Sequence, residues 1–242
     1  LKKFSNVKIE CDDRLIPLFK NSFKEIDSDK FYKLGTFSTN EDEINKFDHV
    51  IYSGSLGRYF RNNINDFSKN PYLKNINYYK DAELDNILEN NNKIKIGLSW
   101  KSFKNRYASE KSLKLENFKH FLEIENTIFF NIQYGNVKEE LDNFLNAHNF
   151  NIITLEELDL FNDFVGIANL LCNLDIFITV SNSTAHLASA LGVKTILIKP
   201  INHASFHYWD YKNGETPWYK TVKIISREDL DNKEFVKSLI KN

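Results

Sequence analysis

The sequence of 242 residues contains no methionine and opens on Leu1. From that pair of facts a segment of a longer polypeptide, or a processed product, is expected. Cysteine is nearly as scarce: Cys11 and Cys172 lie far apart, with neither Cys-x-x-Cys nor Cys/His spacing around them. A disulfide framework and a structural zinc site are thereby disfavoured, and Cys172, behind Leu170 and Leu171, reads as a buried thiol. No excess of either charge exists, since 32 basic and 33 acidic side chains leave a net charge of −1 with no Lys/Arg block. The electrostatic footprint of a nucleic-acid binder is missing, and no nucleic-acid partner is expected. Apolar runs fall short of the roughly 18 residues that a membrane-spanning helix needs, and "LKKFSNVKIE" lacks the charged-then-apolar layout of a signal peptide. A soluble protein without a membrane span, in the reducing cytoplasm, is the expectation. Gly-x-Ser-x-Gly, His-Glu-x-x-His and Walker patterns are absent as well.

What remains is an ordinary globular composition, 42% hydrophobic and 27% charged, long enough for one or two domains. The first ninety or so residues are irregular. "NVKIEC", "FYKLG" and "DHVIYSG" read as short strands, "RLIPLFKNSF" carries helical spacing through Leu15, Leu18, Phe19 and Phe23, and "DAELDNILENNN" reads as a helix running into an Asn-rich hinge. From Lys93 onward the pattern is regular: strands in "KIKIGLSW", "TIFFNIQYG", "NIITL", "DIFITV", "VKTILI" and "TVKIIS" alternate with helices in "LENFKHFLEI", "VKEELDNFLNAH", "DFVGIANLLCNL", "STAHLASAL" and "NKEFVKSLIKN". Such alternation predicts an α/β fold with a doubly wound, Rossmann-like parallel sheet over residues 93–242, behind a partial second α/β domain in residues 1–92.

The densest chemistry lies in "IFITVSNSTAHLASALGVKTILIKP", Ile176 to Pro200. Here Ser181, Asn182 and Ser183 are all good helix N-caps, directly after an apolar strand. A helix start leaves amide N–H groups unpaired and carries partial positive charge, so it can hold a phosphate; Thr184 adds a hydroxyl and His186 a further donor on the same face. Small residues at 185, 188, 189 and 190 let the helix sit close to the sheet, and Gly192 suits the position that ends it. Plain capping with a structural histidine is the alternative.

Two further runs end in polar residues at the same predicted edge of the sheet. Lys101, after "GLSW", could meet an anion, and Gln133 with Tyr134, in "NIQYGN", suits a flat heterocycle. A solvated lysine and a turn with a partly buried tyrosine are the competing readings. "SGSLG", Ser53 to Gly57, reads as a connector; Asp12, Asp13, Glu156, Glu157 and Asp159 read as helix-start or solvated carboxylates. His203 and His207 are four apart but lack a third metal ligand.

Taken in order, "KIGLSWKS", "NIQYGN", "DFVGIANLLCNLDIFITVSNSTAHLASALGVKTILIKP" and "TPWYK" resemble the carboxyl-terminal domain of heptosyltransferase-like glycosyltransferases, of the variety fused behind tetratricopeptide repeats. The resemblance implies a GT-B architecture, two Rossmann-like domains facing a cleft, with a nucleoside-diphosphate-sugar as substrate, no cofactor and no obligatory metal. It places Ser183, Thr184 and His186 at the donor phosphates, Lys101 near them, Gln133 and Tyr134 at the nucleoside, and Ser181 and Asn182 in the same donor site. Many relatives carry Asp where this chain has Ser181. The acceptor, a glycan, lipid or protein, and the catalytic base are left unassigned, because the chain starts beyond the Gly-rich loop that opens the family's first domain. Upstream tetratricopeptide repeats in the same polypeptide are expected partners. A non-catalytic nucleotide-sugar-binding or scaffold module is the alternative function, and an epimerase of related fold a third.

Overall fold

The computed structural model describes residues 7–76, 82–89, 92–103, 106–209 and 212–241. The six residues "LKKFSN", the ends of the expected hinge helix (Asp81, Asn90, Asn91), and Lys104 and Asn105 of the loop after Trp100 lie outside these. Near the start, β1 (Ile9–Cys11) and β2 (Phe31–Lys33) pair in parallel across α1 (Ile16–Ser22), whose Pro17 sits in the first turn where its missing N–H costs nothing. Next comes α2 (Ala82–Glu89). The regular part follows as β3 (Ile94–Ser99), β4 (Thr127–Asn131), α3 (Lys138–His148), α4 (Phe164–Cys172), β5 (Ile176–Val180), α5 (Ser183–Leu191), β6 (Thr195–Ile198), β7 (Val222–Ile225) and α6 (Lys233–Lys241).

All five of these strands run parallel, in the order β4-β3-β5-β6-β7. A single parallel bridge between Phe130 and Ile153 extends the order by one position beyond β4. The chain therefore winds outward from β3 in one direction, returns, and continues from β5 in the other. That reversal makes the gap between the carboxyl ends of β3 and β5 a topological switch point, where open α/β sheets bind ligands.

Period-two alternation divides the strand side chains between two cores. Ile96, Leu98, Ile176, Ile178 and Val180 face Phe118, Phe121, Phe144, Val236 and Leu239. On the other side Phe130, Ile132, Phe177 and Leu197 pack with Leu170, Leu171, Ala185 and Ala188, and Leu18, Leu73, Ile76 and Leu84 from the first ninety residues join the same core. Burial on both faces explains the near-continuous apolar runs of β5 and β6.

Four sequence readings change here. "NIITL" contributes one bridge at Ile153 instead of a strand, and "LENFKHFLEI" forms two short turns, Leu115–Phe118 and Lys119–Leu122, instead of one helix. "DHVIYSG" forms no strand, because nothing among the described residues pairs with it: residues 48–56 are exposed throughout, and Ser53–Ser55 is a single turn. Cys172 is exposed, not buried, since it ends α4 just past the buried run from Gly166 to Leu171. Among the described residues, no helix is long and apolar enough to cross a membrane.

Gly192 ends α5 as its chemistry predicts. Its φ of +87° is left-handed, and Val193 N–H donates to the Ala188 carbonyl at 3.0 Å while Gly192 N–H donates to Ser189 at 3.1 Å, the paired bonds of a Schellman ending. The Ala190 carbonyl then accepts from both Tyr72 and Leu73 N–H at 3.0 Å, and a methyl at position 192 would stand 2.6 Å from the Pro71 ring. Helix ending and docking of the 71–73 segment are thus one device. Gly192→Ala is expected to cost about 1–3 kcal/mol, read as a lower urea midpoint at unchanged slope; an unchanged midpoint contradicts the assignment.

Candidate functional site

Side-chain hydrogen bonds tie together the carboxyl ends of β3 and β4 and the start of α5. The Gln133 side-chain oxygen, just beyond β4, accepts from Ser99 Oγ at 3.0 Å, from Trp100 N–H at 2.8 Å and from Lys101 N–H at 2.7 Å. Its amide nitrogen donates to the Tyr134 carbonyl at 2.7 Å. Asn182 continues the chain: its Nδ2 donates to Ser99 Oγ at 2.9 Å, and its Oδ1 accepts from Ala185 N–H at 2.9 Å, capping α5. Behind Gln133, Asn131 accepts from the Gln133 N–H at 2.9 Å and donates to Thr154 Oγ1 at 3.2 Å. Ser99, Gln133 and Asn182 are all buried, so each bond replaces water that cannot reach them.

This network settles where several expected donor-binding residues point. The Gln133 amide is engaged at both ends, its oxygen by the loop after β3 and its nitrogen by the Tyr134 carbonyl after β4, so the side chain expected at a nucleoside is turned to the protein. Lys101 contributes its N–H to Gln133 and its carbonyl to Asn182 (3.4 Å), while its ammonium forms an ion pair with Glu140 on α3. Ser181, also buried, accepts from the indole Nε1–H of Trp209 at 3.1 Å. The Ser181 hydroxyl therefore positions an aromatic ring. Asn182 is the N-cap out of the candidate trio.

At the first turn of α5 Ser183 is exposed and Thr184 is buried, and among the described residues neither the Ser183 nor the Thr184 amide has a hydrogen-bond partner. The close approach of α5 that brings this turn to the switch point depends on Ala185, Ala188, Ser189 and Ala190, all buried against the sheet.

His186 sits one turn further, enclosed by the loop between β6 and β7. Trp209 stacks on it with centroids 4.6 Å apart, Tyr208 meets it edge-on at 4.9 Å, and Tyr219 donates or accepts at Nδ1 across 3.1 Å. Burial is the larger cause, and the Lys111 charge the smaller, of a His186 pKa lowered to about 4. The imidazole is neutral at pH 7. Burial also raises the Tyr219 hydroxyl above its ordinary range, so it stays protonated. Sequence reading missed Trp209, Tyr208 and Tyr219; the aromatic density of "HYWD" and "TPWYK" was the available signal, and its partner was not.

The remaining candidates fall outside this group. Asp12 pairs with Arg14, and Asp159 accepts from the Phe161 and Asn162 N–H groups, as helix-start carboxylates do. Ser53 to Gly57 is a connector, exposed from Ser53 to Leu56 and half-buried at Gly57. His203 lies in a 3-10 turn that ends at Ala204, so the helical spacing with His207 is not formed, and no group of three His, Cys, Asp or Glu suited to a metal occurs among the described residues.

Comparison with known proteins adds the following. No family model matches the chain. Over 238 residues it is 24% identical to Protein FlbA of Caulobacter vibrioides, a match covering 92% of this chain. The chain spans 38% of the length of that curated relative. Its structural neighbours include a heptosyltransferase and a family 9 glycosyl transferase. The E. coli ADP-heptose LPS heptosyltransferase II superposes with a TM-score of 0.46 at 13% identity, over 75% of this chain and 58% of that one. The glycosyl transferase family 9 structure from Veillonella parvula gives 0.39 at 17%, over 62% and 40%. A structure described as a UDP-N-acetylglucosamine 2-epimerase from Listeria monocytogenes gives 0.41 at 19%, over 69% and 43%. At such similarity, function has to be read from the residues themselves.

The enclosure of His186 has a consequence for stability. Because its folded pKa lies below the ordinary 6.5, the unfolded chain takes up the proton first as pH falls. Its contribution is intact above about pH 6.5, is lost progressively toward pH 4, and amounts to roughly 3 kcal/mol. Subtracting the pH profile of unfolding free energy of His186→Gln from that of the wild type is expected to leave a rise across this window. A flat difference contradicts the buried neutral imidazole.

Proposed function

We propose that the chain carries the donor site of a glycosyltransferase, which moves a sugar from a nucleoside-diphosphate-sugar to a glycan, lipid or protein acceptor. In this reading residues 93–242 hold the donor and residues 1–92 belong to the acceptor side, within a cytoplasmic polypeptide that also carries tetratricopeptide repeats. The observation that carries it is the start of α5: unpartnered Ser183 and Thr184 amides at the switch point, with the Ser183 hydroxyl exposed and a neutral imidazole one turn on. Amides and a helix dipole aimed at one spot favour a diphosphate without any lysine.

The chemistry follows from charge. When the bond between the anomeric carbon and the phosphate oxygen breaks, its electron pair leaves with the diphosphate, and negative charge grows on the departing oxygens. Donors already fixed by the Asn182 cap and the Gln133 network stabilise that charge without reorienting, which is why they favour the transition state over the ground state. A Tyr219 hydroxyl that donates to Nδ1 leaves His186 with Nε2–H as one more donor toward the phosphates. Such donors let the reaction proceed without a metal. The acceptor hydroxyl also needs a base, and none is assigned.

One observation favours a second reading, a non-catalytic nucleotide-sugar-binding module. Ser181 and Lys101, both expected at the donor, are turned to Trp209 and Glu140 instead. Sugar transfer by the intact natural polypeptide excludes this second reading.

Ser183→Val and His186→Asn are each expected to weaken ADP or UDP binding about tenfold, roughly 1.4 kcal/mol, in titration calorimetry. Wild-type affinity in both variants contradicts the diphosphate site.

A further inference from the structure

Among the described residues twelve large apolar side chains are exposed, and seven of them fall within residues 50–64, including Tyr52 at 76%, Tyr59 at 58%, Leu56 and Phe60. Single exposed apolar residues are ordinary, but a run of them is not. Packed chain brackets the run. On one side Phe47 meets Phe37 edge-on at 5.2 Å, in a loop whose Gly35 and Phe37 N–H groups both donate to the Glu10 carboxylate at 2.7 Å. On the other side Phe67 meets Trp218 edge-on at 4.9 Å, and Lys220 N–H donates to the Lys69 carbonyl at 3.1 Å. The exposure therefore belongs to a strip held at both ends, not to a fraying terminus.

Residues 50–65 also hold two arginines, Arg58 and Arg61, and neither a lysine nor a carboxylate. Both arginines are exposed, and each guanidinium lies over an aromatic ring, 5.8 Å from the Tyr59 centroid and 5.4 Å from that of Phe67. The acid that follows, Asp66, is turned back onto the chain, accepting from the Asn62 and Asn63 N–H groups at 2.8 and 2.9 Å. The main chain forms three one-turn pieces, Ser53–Ser55, Gly57–Phe60 and Ile64–Asp66. Among the described residues, its hydrogen bonds close within 52–67.

We propose that residues 50–64 form a docking strip for an anionic lipid surface, where Tyr52, Leu56, Tyr59 and Phe60 enter the headgroup boundary and Arg58 and Arg61 meet lipid phosphates. The inference goes beyond the donor reading of α5 and does not depend on it. Aromatic side chains with a polar tip settle at a bilayer interface, and the planar N–H fork of arginine suits phosphate. Charge disfavours a second copy of this chain: a two-fold contact would set the arginines against themselves, with no carboxylate in residues 50–65 to offset them. Backbone shape disfavours a protein partner, which needs a closely complementary face. Three separate turns offer no regular face, whereas a lipid surface deforms to whatever meets it. Such a strip lies on a membrane and requires no spanning helix.

The test is flotation of the intact natural polypeptide with vesicles of phosphatidylcholine, alone or mixed with phosphatidylglycerol. It is expected to bind the mixed vesicles and to bind the neutral ones weakly. Binding is expected to fall as ionic strength rises from about 0.1 M to about 1 M, because the screening length shortens from about 10 Å to about 3 Å. Arg58→Gln with Arg61→Gln is expected to weaken anionic binding about twentyfold, and Arg58→Lys with Arg61→Lys to keep most of it. Tyr59→Ser with Phe60→Ser is expected to weaken binding about tenfold, with an unchanged urea midpoint because both side chains are exposed. In Phe60→Trp the added indole emission is expected to move to shorter wavelength when mixed vesicles are added. Absence of binding to the mixed vesicles, equal binding to both kinds, or unaltered binding in the arginine and aromatic variants overturns the proposal. A dimer in sedimentation velocity that the Tyr59 and Phe60 substitutions abolish, without vesicle binding, overturns it in favour of a second copy. None of these outcomes touches the phosphate site.

Discussion

The carboxyl edge of this sheet depends on one side-chain oxygen. Gln133 Oε1 receives a hydroxyl and two main-chain N–H groups from the strand end beside it, all buried or partly buried. An amide oxygen with three donors aimed at it is costly to lose, since each orphaned buried donor carries a penalty of about 1–3 kcal/mol. Through Ser99 the same chain of bonds reaches Asn182, and through Asn182 the Ala185 N–H. Strand β3, strand β4 and the first turn of α5 are therefore fixed relative to one another by polar contacts, on top of the apolar packing that builds the two cores. In the proposed reading, a phosphate arriving at α5 would meet amides that are already in place.

A second constraint comes from the connection between β6 and β7, which contains no α-helix among its described residues. Instead this loop folds its aromatic rings back over α5 and encloses His186. Ser181 anchors it by accepting from Trp209. The enclosure keeps the imidazole neutral, which suits a hydrogen-bond donor that must not compete for a counter-ion. It also ties the histidine to the packing of this loop, so its contribution to stability and the donor role proposed for it separate only when stability and binding are measured independently.

Local chemistry was legible in the sequence; distant partnership was not. The N-cap trio, the small residues of α5 and the Gly192 ending could be read off because each acts within one turn of its own helix. The parallel sheet followed from alternation of strand and helix patterns. Ser181 and Trp209, by contrast, are 28 residues apart, and Asn182 and Ser99 are 83 apart, so no local pattern announces either bond. Gln133 was read as a ligand contact because an amide at a strand end suits both a heterocycle and a neighbouring backbone, and only the fold decides between them. The stretch "DHVIYSG" misled for the opposite reason: its residues suit a strand, but a strand requires a partner, and residues 48–56 have none among the described residues.

The central claim, that the start of α5 is where a diphosphate is held, is tested most directly by amide proton–nitrogen correlation spectra recorded during titration with ADP or pyrophosphate. The account predicts that the Ser183 and Thr184 amide resonances move first and furthest, as their unpartnered N–H groups acquire anionic acceptors. Shifts confined to the charged cleft around Lys101, Lys114, Glu140 and Arg227, with Ser183 and Thr184 unmoved, would contradict it.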